Sequence, residues 1–197
     1  NFDEAALRGY IEQYIASLPG DAKKKENYKN VAERPTGTVV NKFTKKMETP
    51  KAIARMYWYS TTAPCTLENT ILASAAGQVL SKLYLQKIRE EAGAAYSAAA
   101  VGSVQMVGDR VFTTLLGHCP MKPEMADEAI KIMREEAVAI SKSVDEATLN
   151  EIKAVLLKDA DAAVKETSHW LGVYNMYVSR GIDTETDYKS IVKSLTP

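Results

Sequence analysis

Residues 80–97, LSKLYLQKIREEAGAAYS, constrain the fold of this chain more than any other stretch. Leu80, Leu83 and Ile88 recur at helical spacing on an otherwise polar segment, the pattern of an amphipathic helix. The helix ends in a charged turn, breaks at Gly93, and the chain re-emerges as a strand of small residues that carries Tyr96. A cation near a helix C-terminus is favoured by the macrodipole, so Arg89 has a purely structural reason to sit there. Arg89 and Tyr96 also flank one turn, which would let a guanidinium fork and a phenol face a single groove. Taken alone, a helix-end cation and a strand tyrosine with a satisfied hydroxyl are the plainer reading of the two residues.

Around that corner the rest of the chain falls into regular elements. Asn1 and Glu4 have capping-box spacing, and Leu7, Tyr10, Ile11, Tyr14, Ile15 and Leu18 then repeat helically until Pro19-Gly20. Residues 21–35 are polar and read as loop. Residues 38–47 and 51–61 are rich in β-branched and aromatic side chains and read as two strands. A long helix over residues 66–91 is expected to bury Ile71, Leu72, Val79, Leu80, Leu83 and Ile88. Residues 95–105 and 110–118 form a hairpin around Gly108-Asp109. Beyond Pro120 only helices are expected. One starts at Pro123 and buries Ala126, Ala129, Ile130, Met133, Ala137 and Ile140. A second is capped at Ser143 and runs through Ile152, Leu156 and Ala160. A third covers 166–179 and stops at Gly181, and a short one covers 188–195. The order α-β-β-α-β-β-α-α-α-α is that of an α+β fold, helices layered on a mainly antiparallel sheet, with residues 1–197 forming a single domain.

Composition removes several function classes. Twenty-five basic and twenty-five acidic residues cancel, which argues against a nucleic-acid or anionic-membrane surface. The runs Lys23-Lys24-Lys25 and Lys45-Lys46 read as solvated loop or edge charge. No apolar run approaches the roughly 18 residues of a membrane helix. Two cysteines, Cys65 and Cys119, are too few for a disulfide framework; each follows an expected strand, and both read as small buried or half-buried thiols. The two histidines, His118 and His169, fit no metal-binding spacing, so no zinc site is expected from His118, Cys119 and His169. His118 is expected to close a strand and His169 to begin a helix. The glycines form neither a phosphate loop nor a dinucleotide fingerprint. In Tyr57-Trp58-Tyr59 one face is expected in the core and the other at the surface.

The succession helix, Arg89-Glu90-Glu91-Ala92-Gly93-Ala94-Ala95-Tyr96-Ser97, strand resembles the C-terminal half of the pitrilysin/insulinase family of zinc metallopeptidases. The paired strands, the long helix before Arg89 and the helices after Pro120 follow the family's order, so the resemblance covers nearly the whole chain. It implies one repeat of the LuxS/MPP-like metallohydrolase fold, in an enzyme whose two halves clasp a peptide chamber. In that family the N-terminal half carries the zinc motif. The C-terminal half supplies an arginine and a tyrosine that reach the substrate, and the matching positions here are Arg89 and Tyr96, with Gly93 between them. The resemblance therefore implies substrate binding by Arg89 and Tyr96, and transition-state stabilisation by Tyr96 in trans to the zinc half. It implies no metal ligand and no cofactor in this segment, with zinc in the complete enzyme. The partners implied are the zinc-bearing half, or a partner subunit, and a peptide substrate, without nucleic acid or membrane insertion. The missing zinc motif, and a family first strand that would precede residue 1, are expected of a domain excised from a larger peptidase.

Two other readings stand beside this one. The first is a non-catalytic partner subunit or structural module of the same fold, as in processing-peptidase assemblies. The second is an unrelated α+β binding domain, which the neutral charge disfavours. Substrate sequence, cleavage preference and compartment stay open.

Overall fold

The computed structural model describes residues 2–20, 29, 31 and 33–197. The chain divides into two compact units, Asn1–Glu33 and Arg34–Pro197.

In the first unit, helix α1 (Glu4–Tyr14) starts at Asp3, whose carboxylate accepts the Ala6 backbone N–H at 3.0 Å. That side chain satisfies one of the donors a helix N-terminus leaves unpaired, and Glu4 adds favourable charge to the first turn. The regular helix stops at Tyr14, short of the expected end at Pro19, as the N–H groups of Ile15 and Ala16 converge on the Ile11 carbonyl. Its apolar stripe of Leu7, Tyr10, Ile11, Tyr14, Ile15 and Leu18 is exposed throughout. The cap expected at Asn1, the cluster Lys23-Lys24-Lys25 and most of the expected loop 21–35 lie outside the described residues.

The second unit is an α+β assembly around a three-stranded antiparallel sheet in the order β1-β3-β2. Strand β1 (Ala52–Ser60) pairs with β3 (Arg110–Met121), and β3 pairs in turn with β2 (Ala99–Val107). The β2–β3 hairpin turns on Gly108-Asp109 as expected, with Gly108 at φ +64°, a left-handed conformation that costs glycine little. β3 runs past the expected end at His118 through Cys119 and Pro120 to Met121. The proline is tolerated because β2 pairing stops at His118, leaving no ladder on that side for a missing N–H to break. Residues 38–47, expected as a strand, join no sheet. They are exposed along their length, with Phe43 at 92 % accessibility.

Strand alternation sorts the sheet into two faces. Ala54, Met56 and Trp58 on β1, with Leu115, Gly117, Cys119 and Met121 on β3, pack into the main core. Tyr57 lies on the opposite, exposed face, so the aromatic triplet divides as alternation requires.

Helix α2 (Leu67–Tyr84) crosses the inner face and is capped by Thr66, whose hydroxyl accepts the Asn69 N–H at 3.2 Å. One side of α2 gives Leu80 and Tyr84 to the sheet core; another gives Leu67, Ile71, Ala75 and Val79 to a second cluster. Leu72, expected in the core, is exposed. Helix and sheet meet at glycines: a β-carbon on Gly102 would lie 1.7 Å from the Ala73 carbonyl oxygen, and one on Gly77 would lie 2.3 Å from the Gly102 nitrogen.

A short 3-10 turn (Pro123–Met125) leads into α3 (Ala126–Ile140), which buries Ala129, Met133, Glu136 and Ala137. Helix α4 (Glu146–Ala163) is capped by Asp145 rather than by Ser143: the Asp145 carboxylate accepts the Thr148 N–H at 2.8 Å. That bond also holds the Asp145 carboxyl below its ordinary range. Ile152 and Leu156 of α4 close the second cluster with Val192 of α6 (Tyr188–Ser194). Between them, α5 (Thr167–Arg180) ends at Gly181 in the left-handed region, as expected, and buries none of its residues.

Candidate functional site

The helix that carries Arg89 changes its winding before it ends. Directly after α2, residues Leu85–Glu91 form a π-helical turn. Such wide turns are uncommon and recur at functional sites, since they break the regular ladder locally. The turn closes on Gly93, at φ +61°. There the Ala92 N–H reaches the Lys87 carbonyl at 3.1 Å, and the Ala94 N–H reaches the Ile88 carbonyl at 2.9 Å. A glycine in the left-handed region, followed by a long backward bond, is the usual chemistry of a helix C-terminus.

The chain then runs through a connection held by small side chains. Ala94, Ala95 and Ala98 are buried in the main core, while Tyr96 between them is 85 % accessible. With its neighbours anchored inward, Tyr96 is carried outward. It stands in the connection before β2, not in the strand where the sequence places it. Arg89, also exposed, sets its guanidinium carbon 5.2 Å from the Tyr96 ring centroid, inside the range of a cation–π contact. The two residues therefore share one open surface. Among the described residues neither an ion pair to Arg89 nor a hydrogen bond to the Tyr96 hydroxyl is present, so both polar ends face solvent.

Beneath this pair the turn is tied to α3. Ile88 is fully buried, and the Tyr84 hydroxyl donates to the Met133 carbonyl at 2.8 Å. Lys87 Nζ donates to Glu136 Oε1 at 2.6 Å. Glu136 is 7 % accessible and is the sole buried charged side chain among the described residues. Its hydrogen bond, outweighing desolvation, raises the affinity of Lys87 for its proton. Burial, reinforced by the Glu136 charge, pushes the Tyr84 phenol well above its ordinary value, so it stays a neutral donor. Glu136 was not legible in the sequence: it lies 49 positions from Lys87, and no spacing rule connects them.

The two histidines do not come together. His118 sits inside β3, where its Nδ1 accepts from Arg55 Nε at 3.4 Å. His169 on α5 pairs through Nε2 with Glu185 at 2.9 Å and meets the Trp170 ring edge-on. Cys119 does not follow a strand but lies within β3, next to His118 and facing the core; burial pushes its thiol up to about 11. Cys65 is half-buried, and both thiols are free. Among the described residues no three His, Cys, Asp or Glu side chains converge to hold a metal ion. The donors among the described residues therefore do not fit a zinc ion.

Comparison with known proteins bears on the family and the fold. Residues 1–156 match the family model described as the peptidase M16 inactive domain. No curated protein matches the sequence significantly. Among solved structures, the periplasmic protease PqqL from Escherichia coli superposes with a TM-score of 0.72 at 22 % identity, over 100 % of this chain and 22 % of that one. A predicted insulinase family protease from Yersinia pestis gives 0.66 at 12 % identity, over 100 % of this chain and 45 % of that one. A protease from Helicobacter pylori gives 0.57 at 15 % identity, over 100 % and 47 %. At these identities the structures speak for the fold, an α+β unit shared with parts of longer proteases. The family match covers most of the chain, which accordingly belongs to the peptidase M16 family as a copy of its inactive domain.

Proposed function

We propose that this domain holds peptide substrate for a zinc metallopeptidase whose hydrolytic centre is supplied by another half, in the same polypeptide or a partner subunit. The observation that carries the reading is the stacked pair of Arg89 and Tyr96, solvent-facing at the end of a π-helical turn. An arginine fork donates two hydrogen bonds in one plane, which suits the carbonyls of an extended peptide. Stacking on Tyr96 limits the conformations of that fork before substrate arrives, lowering the entropy lost on binding. The Tyr96 hydroxyl is free to donate to the oxyanion that develops as a scissile carbonyl is attacked. Such a donor is worth most when preorganised and shielded from water, as it would be once the other half closes over it. Zinc in that other half would activate the attacking water; this chain binds, orients and stabilises.

Tyr96→Phe in the full-length protein tests the reading. It keeps the ring that Arg89 stacks on and removes only the hydroxyl. Turnover of an internally quenched peptide should fall on the order of 100-fold with KM little changed, the signature of a contact made in the transition state. Unchanged turnover would remove the transition-state role. Arg89→Met should act mainly through KM, by loss of substrate binding.

A further inference from the structure

We propose that Glu136 is a positioning residue for Arg89, acting through Lys87, an inference that rests on the peptide-holding role just described. The geometry points to it from three directions. Lys87 and Arg89 lie on one seven-residue π-helical turn, and a carboxylate of α3 clamps Lys87 at 2.6 Å, whereas Gln86 bonds only within the turn, to Glu91. The same α3 helix holds the preceding turn one step earlier, through the Met133 carbonyl and the Tyr84 hydroxyl at 2.8 Å. Met133 and Glu136 are successive points on one face of α3, so α3 grips the end of α2 twice. The backbone of the clamped residue is also the near end of the corner: the Lys87 carbonyl receives the Ala92 N–H, and the Ile88 carbonyl receives the Ala94 N–H, two positions before Tyr96.

A buried carboxylate is an expensive way to add stability. Desolvation of such a group consumes most of what its ion pair returns, and apolar side chains of similar volume commonly do as well. What the ion pair adds is geometry. Lys87 is drawn down onto α3, and with Ile88 buried beside it the next residue, Arg89, is left on the solvent side over Tyr96. Without the Glu136 charge the wide turn would have one anchor fewer against rewinding into regular helix, which would rotate Arg89 away from the phenol. A displacement of about 1 Å at a substrate-positioning group can cost about 100-fold in rate, so a loosened anchor should be visible in turnover.

The experiment compares Glu136→Gln, Arg89→Met and their combination in the full-length protein, using one internally quenched decapeptide and native hydrogen exchange. Glu136→Gln should lower kcat/KM by about 10-fold, mostly through KM, and speed exchange at the Ala92 and Ala94 amides while α3 and β3 amides keep their protection. In the Arg89→Met background the Glu136 substitution should add nothing, because what it positions is gone; a merely structural role would add its loss in full. Should Glu136→Gln fail to fold, the double variant Lys87→Met/Glu136→Met removes both charges without leaving one buried alone, and the same losses are expected. If Arg89→Met impairs hydrolysis but the Glu136 variant leaves kcat/KM and both amides unchanged, or adds its loss independently, the positioning role is wrong and the peptide-holding role stands. If Arg89→Met is silent, the peptide-holding role falls and this inference with it.

Discussion

Cys119 and Cys65 show how far single side chains obey their surroundings. Cys119 lies within β3, sealed against the core, and burial pushes its thiol up to about 11 from an ordinary 9.0. Its contribution to stability is fully present below pH 9.0 and is lost as pH rises toward about 11, where the unfolded chain alone gains from ionising. Near neutral pH it should resist a thiol-specific reagent until the chain unfolds, while half-buried Cys65 reacts in the native state. Labelling with and without denaturant, followed by mass spectrometry, checks this; rapid native labelling of Cys119 would show that β3 opens locally. At the candidate site the legible residues were those whose chemistry is local. A charged helix end, a glycine and a small-residue run mark a corner in any sequence, and Arg89 and Tyr96 stand on either side of it. The outward turn of Tyr96 came instead from the burial of Ala94, Ala95 and Ala98, which alternation in a presumed strand did not anticipate.

Elements were legible in proportion to how much of their pattern is enforced by packing. Helix α2 carries core residues on two sides, and its expected extent is matched by α2 with its π-helical continuation. The β2–β3 hairpin was set by Gly108-Asp109, a pair suited to a tight turn although in the less usual order. Residues 38–47 failed for the reciprocal reason: Val39, Phe43 and Met47 share a strand face by parity, yet all three are exposed and no partner strand meets them among the described residues. Strand propensity describes how well side chains fit a pleated, half-buried surface, and it is mute where no surface is offered. Helical spacing likewise gave α1 and α5 without disclosing that their apolar stripes, Leu7 to Leu18 and Trp170 to Val178, are exposed. The close approach of α2 to β2 was also invisible. Gly102→Ala would place a methyl carbon 1.7 Å from the Ala73 carbonyl oxygen, backbone against backbone, where no rotamer gives relief. It should destabilise the fold by about 3 kcal/mol or more, at the upper end for overpacking. A urea titration measures the loss, and a midpoint shift below that of an ordinary surface substitution would mean that α2 lifts freely from the sheet.

At the scale of the whole molecule, the chain is an inactive domain of the peptidase M16 family, and among its described residues no cluster of donors could hold a metal ion. It spans 22 % of the length of PqqL and 45 % of that of the Yersinia protein. The chemistry divides accordingly. His118 is turned to Arg55 and His169 to Glu185, while Cys119 faces the core, so bringing any two of them onto one ion would require taking apart β3 or α5. Arg89 and Tyr96, by contrast, are presented at no such cost. A purified protein of residues 1–197 should therefore show no zinc binding tighter than about 1 μM by calorimetry, because dispersed donors gain little from a metal that prefers four converging ligands. The same protein should leave an internally quenched decapeptide intact. Added to a zinc-bearing half from the intact enzyme, it should restore cleavage in a manner that saturates with its concentration, and Tyr96→Phe should saturate at the same concentration but a lower rate. That separation follows from the proposed role, in which the Tyr96 hydroxyl acts on the reacting carbonyl and removing it leaves the ring in place. Hydrolysis by the purified chain itself, abolished by a chelator and restored by zinc, would place the metal centre within these residues and overturn the division of labour.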